Sequence, residues 1–253
     1  MNFNVVIPTR FESTRFPGKL LSIINGQSVI ERVVNIARQS GAREIIVATD
    51  DQRISECLDH MKCDVILTSE NHQSGTDRIA EVANIKKWPA QTMVVNLQGD
   101  EPFIPPELVN AVAKALDQAP SASISTACFP ITKYEELLDP NLVKLTVDHQ
   151  NYALYFSRAP MPWARDTFST NEKCLPDGFV GLGHIGIYGY RVKYLLDYPN
   201  LPFSPLENLE KLEQLRALQA GHRIVLAQTS IPPAAGIDTP DDLERARVHA
   251  STL

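Results

Sequence analysis

The sequence predicts an α/β protein: a mostly parallel, doubly wound sheet with helices on both faces and an inserted hairpin or arm. Short apolar runs alternate with helical patterns in the N-terminal part, and this repetition is typical of a parallel sheet. From Leu142 the pattern changes, and two short strands flank residues 148–151 as in a hairpin. A length of 253 residues allows one large core. We therefore expect a single domain over residues 1–253, with an insertion at about 142–200.

The expected strands are short apolar runs or runs that alternate between two faces. In chain order they cover residues 5–8, 44–49, 64–67, 91–98, 123–129, 143–147, 152–156, 184–190 and 223–228.

The expected helices show apolar residues at helical spacing or a start signal such as Ser-Pro-x-Glu. They cover residues 27–40, a segment opened by Asp50 and Asp51, 79–87, 105–118, a short helix under a Thr132/Glu135 capping box, 204–220 and 241–249. Residues 158–177 are rich in proline and polar side chains without a clear period, and are expected to form a projecting arm.

Composition and charge exclude several classes of protein. The net charge of −6 argues against a general nucleic-acid binder, because non-specific binding depends on basic surface. No apolar run approaches the roughly 20 residues of a membrane span, and no secretory signal precedes the first strand. The four cysteines have no disulfide-scaffold spacing. We expect a cytoplasmic protein that binds neither nucleic acid nor membrane.

One pattern resembles a metal site. Cys57, His60 and Cys63 form C-x2-H-x2-C. On a helix these side chains wind away from a common point, and the fourth ligand that structural zinc requires is not nearby. Ordinary packing at a helix end is the favoured interpretation.

The loop after the first strand is the main candidate for ligand binding. It carries Arg10, Arg15 and Lys19, together with the hydroxyls of Ser13 and Thr14. Ligands of open α/β sheets bind beyond the carboxyl ends of the strands, and cations with backbone N–H groups suit a polyanion such as a nucleoside triphosphate. The alternative is a solvated loop whose cations only improve solubility.

Two familiar phosphate-binding motifs do not account for this loop. Gly18 is its only glycine, whereas dinucleotide folds need G-x-G-x-x-G. The P-loop pattern G-x-x-x-x-G-K-S/T also fails, because Ser13 replaces its first glycine and Leu20 its hydroxyl residue.

Asp100 and Asp238 are candidates for a shared magnesium ion. Each lies at or just beyond the end of an expected strand, and Mg²⁺ prefers a few carboxylates with phosphate oxygens and water. For Asp100 the alternative is turn chemistry beside Gly99. For Asp238 it is capping of the last helix, where Thr239 competes. Arg158 has the alternative of a structural ion pair. His184 has the alternative of an ordinary core or surface residue.

Seven blocks in order resemble the CMP-KDO synthetases, the 3-deoxy-manno-octulosonate (KDO) cytidylyltransferases. The blocks are PTRFESTRFPGK, HQSGTDR, VVNLQGDEP, NYALYFSR, HIGIYGY, PLENLEKLEQLR and GIDTPDDLERAR. This resemblance implies a Rossmann-like nucleotidyltransferase sheet and Mg²⁺-dependent transfer of CMP from CTP to KDO for lipopolysaccharide assembly, with release of pyrophosphate. It also implies a homodimer, with residues 158–199 as the expected interface.

The resemblance also assigns roles to residues. CTP binding is expected of Pro8, Arg10, Arg15, Lys19, Ser74, Gly75 and Arg78. KDO binding is expected of Gln98, Arg158, His184, Tyr188, Glu213 and Gln214. Asp100 and Asp238 are expected to bind Mg²⁺ and, with Arg15 and Lys19, to be catalytic. Thr9, Phe16 and Asp77 depart from the residues common in the family, which are Ala, Leu and Glu.

The residues alone also allow two other functions. One is a metal-dependent glycosyltransferase that uses Asp100 to hold a nucleotide-sugar. The other is a nucleotide sensor without catalysis, which has no need for two carboxylates placed to share a metal. A related branch of the family activates an 8-amino form of the sugar, but QGDEP and HIGIYGY here resemble the KDO branch more closely.

Overall fold

In the computed structural model, which describes residues 1–12, 15–170, 173–230 and 232–252, a nine-stranded sheet runs through the centre of the protein. The short apolar runs of the sequence form most of its strands. In chain order the strands are β1 (Phe3–Pro8), β2 (Ile23–Ile24), β3 (Gln27–Ser28), β4 (Ile45–Thr49), β5 (Asp64–Leu67), β6 (Met93–Asn96), β7 (Ile124–Pro130), β8 (Lys144–Val147), β9 (Ala153–Ser157), β10 (Leu182–Arg191) and β11 (Ile224–Gln228). Strands β2 and β3 form a separate hairpin.

The strand order confirms the predicted sheet. It is β11-β7-β10-β6-β1-β4-β5, with β8 paired to β10 and β9 to β8. Strand β1 is parallel to β4 and β6, and β10 is the strand of this path that runs against its neighbours β6 and β7. The chain leaves β1 towards β4 and β5, then returns to the other side of β1 at β6. Strands β1 and β6 therefore flank the switch point where open α/β sheets bind ligands.

Helices cover both faces of the sheet, as predicted. They are α1 (Val29–Gln39), α2 (Gln52–Leu58), α3 (Gly75–Lys86), α4 (Pro106–Gln118), α5 (Tyr134–Leu138), α6 (Arg165–Phe168), α7 (Val192–Asp197), α8 (Pro205–Glu210), α9 (Gln214–Gln219) and α10 (Pro240–Ala250). Helices α1, α2, α4 and α10 pack with Val5 and Ile7 of β1 in one core cluster. Helices α3, α7 and α9 pack with Val6 in the other. Alternate residues of a strand face opposite sides, so β1 contributes to both cores.

Helix capping fixes two boundaries near the expected site. Helix α3 begins at Gly75, earlier than predicted, because Ser74 and Asp77 form a capping box. Helix α10 is capped by Thr239 in a box with Asp242, so Asp238 is not its N-cap. The Asp238 carboxylate is thereby left for other contacts.

Two predictions of local structure are wrong. The helix expected over 204–220 is two helices, α8 and α9, separated where Lys211 adopts a left-handed backbone with φ of 55°. The predicted Thr132 capping box does not form, since Lys133 is the N-cap of α5 and its side chain makes no capping bond.

The hairpin predicted around residues 148–151 is confirmed as antiparallel β8 and β9. Beyond it, Phe168 makes edge-to-face contacts with Tyr134 and Trp163 and also packs near Phe179. The division into a main domain and an insertion at about 142–200 stays a prediction. Within the described ranges, no helix combines the length and the apolar character that crossing a bilayer would require.

The cysteine–histidine pattern has ordinary partners. Cys57 Sγ lies 3.5 Å from Ser28 Oγ, and His60 Nε2 lies 3.0 Å from Glu31 Oε1. Cys63 Sγ contacts backbone carbonyls. Residues 1–12, 15–170, 173–230 and 232–252 contain no group of three or more His, Cys, Asp or Glu side chains placed to hold a metal ion.

Candidate active site

Gly99 brings together the loops that follow β1 and β6. A Cβ atom at this position would lie 2.6 Å from Thr9 Cγ2 and 3.4 Å from the Pro8 carbonyl oxygen. Leu97 N also donates to Val6 O over 3.1 Å, which extends the pairing of the two strands. The close approach requires a residue without a side chain, and it places Asp100 beside the cationic loop.

Lys19 lies at the centre of the charged cluster. Its ammonium donates to Asp100 Oδ2 over 2.6 Å, to Asp238 Oδ1 over 2.9 Å and to the Ile237 carbonyl over 2.6 Å. Burial would lower the pKa of Lys19, but the carboxylates of Asp100 and then Asp238 outweigh it and hold that pKa above its usual value. The two predicted metal ligands therefore converge on one cation.

Arg15 joins this cluster from the solvent side. Its Nη2 donates to Asp238 Oδ2 over 2.8 Å, and its side chain is 64% exposed, compared with 10% for Lys19. Arg10 lines the same region. The hydroxyls predicted here, Ser13 and Thr14, lie outside the described residues.

A third carboxyl group, missed by the sequence reasoning, adjoins the pair. Burial, together with the charges of Asp100 and Asp238, raises the pKa of Glu101 to about 8. A Cβ atom on Gly236 would lie 2.7 Å from Glu101 Oε1, and Ile237 N donates to Asp100 O over 2.9 Å. These contacts set the segment carrying Asp238 against the segment carrying Asp100. The only sequence signal for Glu101 was its position beside Asp100 in the QGDEP block.

All seven residues expected to bind CTP line one open cavity of about 400 Å³. The N-terminus of α3 opens into it through Ser74 and Gly75, and free N–H groups at such an end favour anions. The predicted residues along its walls are Pro8, Arg10, Arg15, Lys19, Ser74, Gly75, Arg78, Gln98, Asp100, Glu213 and Asp238. We call this space the outer cavity.

Arg78 differs from the other cations of the outer cavity because it is buried and paired. It donates to Asp50 Oδ2 over 2.6 Å and to Thr68 Oγ1 at 2.5 Å. His72, which the sequence reasoning did not single out, also lines the cavity and contacts Glu81 Oε2 through Nε2 at 2.5 Å. The HQSGTDR block was the available signal for His72.

A second space of about 200 Å³, the inner cavity, adjoins the first. The two share Gly75, Gln98 and Glu213 in their walls. The inner cavity is otherwise lined by Thr76, Asn96, Ile124, Tyr188, Tyr190, Tyr194 and Gln214. Four of the six residues expected to bind the sugar, Gln98, Tyr188, Glu213 and Gln214, therefore lie together.

Aromatic rings form a row along the inner cavity. The centroids of Tyr188 and Tyr190 are 5.9 Å apart, those of Tyr190 and Tyr194 are 5.7 Å apart, and Tyr198 continues the row 5.9 Å further. Burial raises the pKa of each of these phenols. At neutral pH the wall therefore presents uncharged rings and hydroxyl groups.

Glu213 lies where the two cavities meet. Its Oε1 accepts a short hydrogen bond from the Thr76 hydroxyl. Burial of the carboxyl group is the main reason why the pKa of Glu213 is raised, and the Thr76 bond opposes it. Burial thus disfavours the ionised form of this carboxyl group.

His184 and Arg158 are not among the residues lining either cavity. Burial lowers the pKa of His184 to about 4, so its ring is neutral at pH 7. Its Nε2 lies 2.9 Å from Thr126 Oγ1, and its ring centroid is 5.5 Å from that of Tyr188. Thr126 Oγ1 also lies 2.7 Å from the Ile187 carbonyl oxygen.

The Arg158 guanidinium is occupied by backbone carbonyls. Nε donates to Glu210 O over 2.8 Å and Nη1 to Pro140 O over 2.9 Å. The Arg158 backbone N also donates to Glu210 Oε2 over 2.9 Å. These bonds tie the end of β9 to α8.

The carboxylates of Asp100 and Asp238 fit a divalent cation. Their oxygens already meet at a single positive charge, and carboxylates combined with phosphate oxygens are the donors that Mg²⁺ prefers. A site with only two protein carboxylates suits an ion that arrives with a nucleotide.

Comparison with known proteins gives the family. Residues 4–224 match the family model described as Cytidylyltransferase. The 3-deoxy-manno-octulosonate cytidylyltransferase of Nitrosococcus oceani is 47% identical over 248 residues, which cover 98% of this chain and 96% of the relative. The enzyme of that name from Psychromonas ingrahamii is 50% identical over 248 residues, covering 97% of each.

Comparison with solved structures gives the same family. A CMP:2-keto-3-deoxy-manno-octonic acid synthetase complexed with CTP superposes with a TM-score of 0.90 at 37% identity, with 100% of both chains covered. A cytidylyltransferase from Leptospira borgpetersenii shares the fold, with a TM-score of 0.65 at 16% identity over 100% of this chain and 88% of its own. The chain therefore belongs to the cytidylyltransferase family, among the 3-deoxy-manno-octulosonate cytidylyltransferases.

Proposed function

We propose that the protein transfers CMP from CTP to KDO, giving CMP-KDO and pyrophosphate for lipopolysaccharide biosynthesis. The observation that best supports this is the pair of adjoining cavities, which share Gln98 and Glu213 in their walls. The outer cavity has the cations and the helix N-terminus that a triphosphate needs. The inner cavity has tyrosine hydroxyls and side-chain amides in its wall, which suit a polyhydroxylated molecule.

The cations of the outer cavity act on the triphosphate. Arg10, Arg15 and Lys19 neutralise its charge, and the N–H groups at the start of α3 bind phosphate or ribose oxygens. As pyrophosphate leaves, charge grows on the bridging oxygen. Lys19 and Arg15 stabilise that charge, which is how positioned cations usually contribute to phosphoryl transfer.

Asp100 and Asp238 would hold Mg²⁺. A metal held by these two carboxylates would polarise the α-phosphate and help the attacking hydroxyl to ionise. In the protein alone Lys19 fills the space between the two carboxylates. For these carboxylates to hold a metal, the Lys19 ammonium would have to leave this position, and the phosphates of CTP would offer it new partners.

The reaction itself is an in-line displacement. The anomeric oxygen of KDO forms a bond to the α-phosphorus of CTP, the bond from that phosphorus to the bridging oxygen breaks, and the hydroxyl proton is lost to solvent. Side chains of the inner cavity orient the sugar, chiefly Gln98, Tyr188 and Gln214. Such positioning converts a bimolecular step into an effectively unimolecular one.

Arg158 remains our proposed contact for the sugar carboxylate, and His184 a proposed neighbour of the sugar. The guanidinium must first release the Glu210 and Pro140 carbonyls. Movement of the chain around β9 and α8 when the sugar enters would achieve this.

The protein is further proposed to act as a cytoplasmic homodimer, with the interface within residues 158–199. Trp163 and Val180, exposed to 58% and 77%, are apolar side chains in this segment that a partner subunit would cover. Sedimentation velocity of the wild type and a Trp163→Glu variant tests the interface. A monomeric wild type would contradict it.

The decisive experiment measures pyrophosphate release with each of the four nucleoside triphosphates, with and without KDO and with Mg²⁺ or EDTA. We expect release only when CTP, KDO and Mg²⁺ are all present. Equal turnover with every triphosphate would refute the cytidylyl specificity. CTP binding without turnover would instead support a nucleotide sensor.

A further inference from the structure

Two buried polar atoms of the inner cavity have no hydrogen-bond partner. They are Asn96 Oδ1 and Gln214 Nε2, and among the described residues the one other such atom is Arg32 Nε. Asn96 is 2% exposed and Gln214 is 6% exposed, and both line the inner cavity. An unpaired buried acceptor carries a desolvation cost that a bound ligand can remove. The two atoms offer an acceptor and a donor, which are the groups that hydroxyls bind.

Asn96 is unusual for its position. It is the last residue of β6, whose other residues, Met93, Val94 and Val95, are buried and apolar. Alternation along the strand puts Asn96 on the same face as Val94, which belongs to the core under α3 and α7. Packing alone would place an apolar residue here, so a polar amide at this site indicates a function.

Asn96 shares the wall of the inner cavity with Tyr190. Tyr190 is itself 4% exposed and lies between the stacked rings of Tyr188 and Tyr194. Asn96 Oδ1 therefore lies unpaired in a wall that is built largely of packed aromatic rings.

The size of the inner cavity excludes a single ordered water molecule as its only occupant. A water fills roughly 30 Å³ of liquid, whereas the cavity has a volume of about 200 Å³. Its connection to the outer cavity through Gly75, Gln98 and Glu213 makes it accessible to a molecule that reacts with the nucleotide.

We propose that Asn96 is a specificity-determining residue that accepts a hydrogen bond from one hydroxyl of the sugar acid. This inference rests on the proposed function, because it takes the sugar acid as the occupant of the inner cavity. A site that pairs a substrate hydroxyl strongly rejects an analogue lacking it, since its own buried group is then left unpaired.

The test compares wild type with Asn96→Leu, which keeps the branched shape of the side chain and removes the amide. KM for KDO is expected to rise roughly ten- to hundredfold, while the dissociation constant for CTP, measured by calorimetry without sugar, changes less than about twofold. Ser125→Ala is the matched control. Ser125 is buried on β7 and donates to the Val112 carbonyl away from both cavities, so its loss should lower stability and leave KM for KDO unchanged.

A substrate series supplies a readout that a merely structural role would not change. Wild type is assayed with monodeoxy analogues of KDO, and one analogue is expected to lose roughly ten- to hundredfold in kcat/KM. Asn96→Leu should use that analogue and KDO equally well. Asn96→Ala, which removes the amide without adding bulk, should likewise lower the ratio of kcat/KM for KDO to kcat/KM for that analogue, and it remains informative if Asn96→Leu fails to fold.

The outcomes separate the two hypotheses. Absence of pyrophosphate from wild type with CTP and KDO would refute the proposed function and, with it, this inference. An active wild type whose ranking of analogues is unchanged in the variants would overturn the role of Asn96 alone.

Discussion

Replacing Lys19 with methionine should show that its ammonium takes the place of a metal ion in the ligand-free protein. The variant leaves Asp100 and Asp238 facing each other without the cation that each contacts within 3 Å. Hydrogen bonds to charged groups contribute about 1.5–3 kcal/mol when buried. Because Asp100 is 32% and Asp238 50% exposed, solvent screening lowers the expected cost to about 2 kcal/mol. For a chain of this length that is a fall of roughly 4–8 °C in Tm.

The assay is thermal unfolding in EDTA, followed by titration with Mg²⁺ in the absence of CTP. In Lys19→Met the two carboxylates are free to bind the ion, so Mg²⁺ should recover most of the lost stability by binding to the folded state. Wild type should respond less, because its ammonium competes for the same oxygens. Direct calorimetry should likewise show that Mg²⁺ binds more tightly to Lys19→Met than to wild type.

Arg15→Met is the matched control. It removes the positive charge beside Asp238, but the Arg15–Asp238 pair is exposed and contributes at most about 1 kcal/mol to the stability of the fold. Its loss leaves Lys19 between the carboxylates. If Arg15→Met and Lys19→Met respond equally to Mg²⁺, general charge and not occupancy of the site explains the effect. If neither responds more than wild type, the shared metal site is wrong.

Three further predictions concern neighbouring residues. Asp100→Asn should abolish nearly all pyrophosphate release at saturating Mg²⁺ with little change in Tm, and retained activity would contradict its role as a metal ligand. Gly99→Ala should cost about 1–3 kcal/mol of stability through its contact with Thr9 Cγ2, and urea unfolding should show partial recovery in the double variant with Thr9→Ser, which lacks that methyl group. In EDTA, wild type should lose stability as pH rises from about 4.5 to 8, because folded Glu101 keeps a proton that the unfolded chain has released. Glu101→Gln, neutral throughout, should be more stable than wild type at pH 8 by about 2 kcal/mol, and parallel pH profiles from urea unfolding would contradict this.

The main sheet was predictable because its strands are uninterrupted apolar runs. Residues such as Val5, Val6 and Ile7 are apolar on both faces, which indicates a strand buried between two layers of helices. The antiparallel insertion of β10 between β6 and β7 had no local signal, since it depends on pairing between distant segments.

The break between α8 and α9 was not predictable from propensity. Lys211 is neither glycine nor proline, yet it adopts the left-handed conformation that ends α8. Tertiary contacts account for the new direction: Glu207 of α8 pairs with Arg216 of α9 over 2.6 Å, and Glu213 reaches the Thr76 hydroxyl. Packing and a buried hydrogen bond here override the pattern of a continuous helix.

The candidate site was predicted unevenly. Lys19, Asp100 and Asp238 could be inferred from charge at the strand ends, because parallel strands place their carboxyl ends at one edge. Asn96 and Glu101 were missed, since each lies beside a more conspicuous residue and its significance depends on burial. Arg158 and His184 came from the resemblance alone, and their roles stay predictions.

The row of four tyrosine rings gives the molecule a natural optical reporter. Tyr188, Tyr190 and Tyr194 border the inner cavity and couple to one another through near-parallel stacking. Closely stacked aromatic chromophores in a rigid setting produce near-ultraviolet circular dichroism that depends on their relative angles. Occupancy of the inner cavity can therefore be followed without a label, by the change in this signal when a sugar acid is added, independently of turnover.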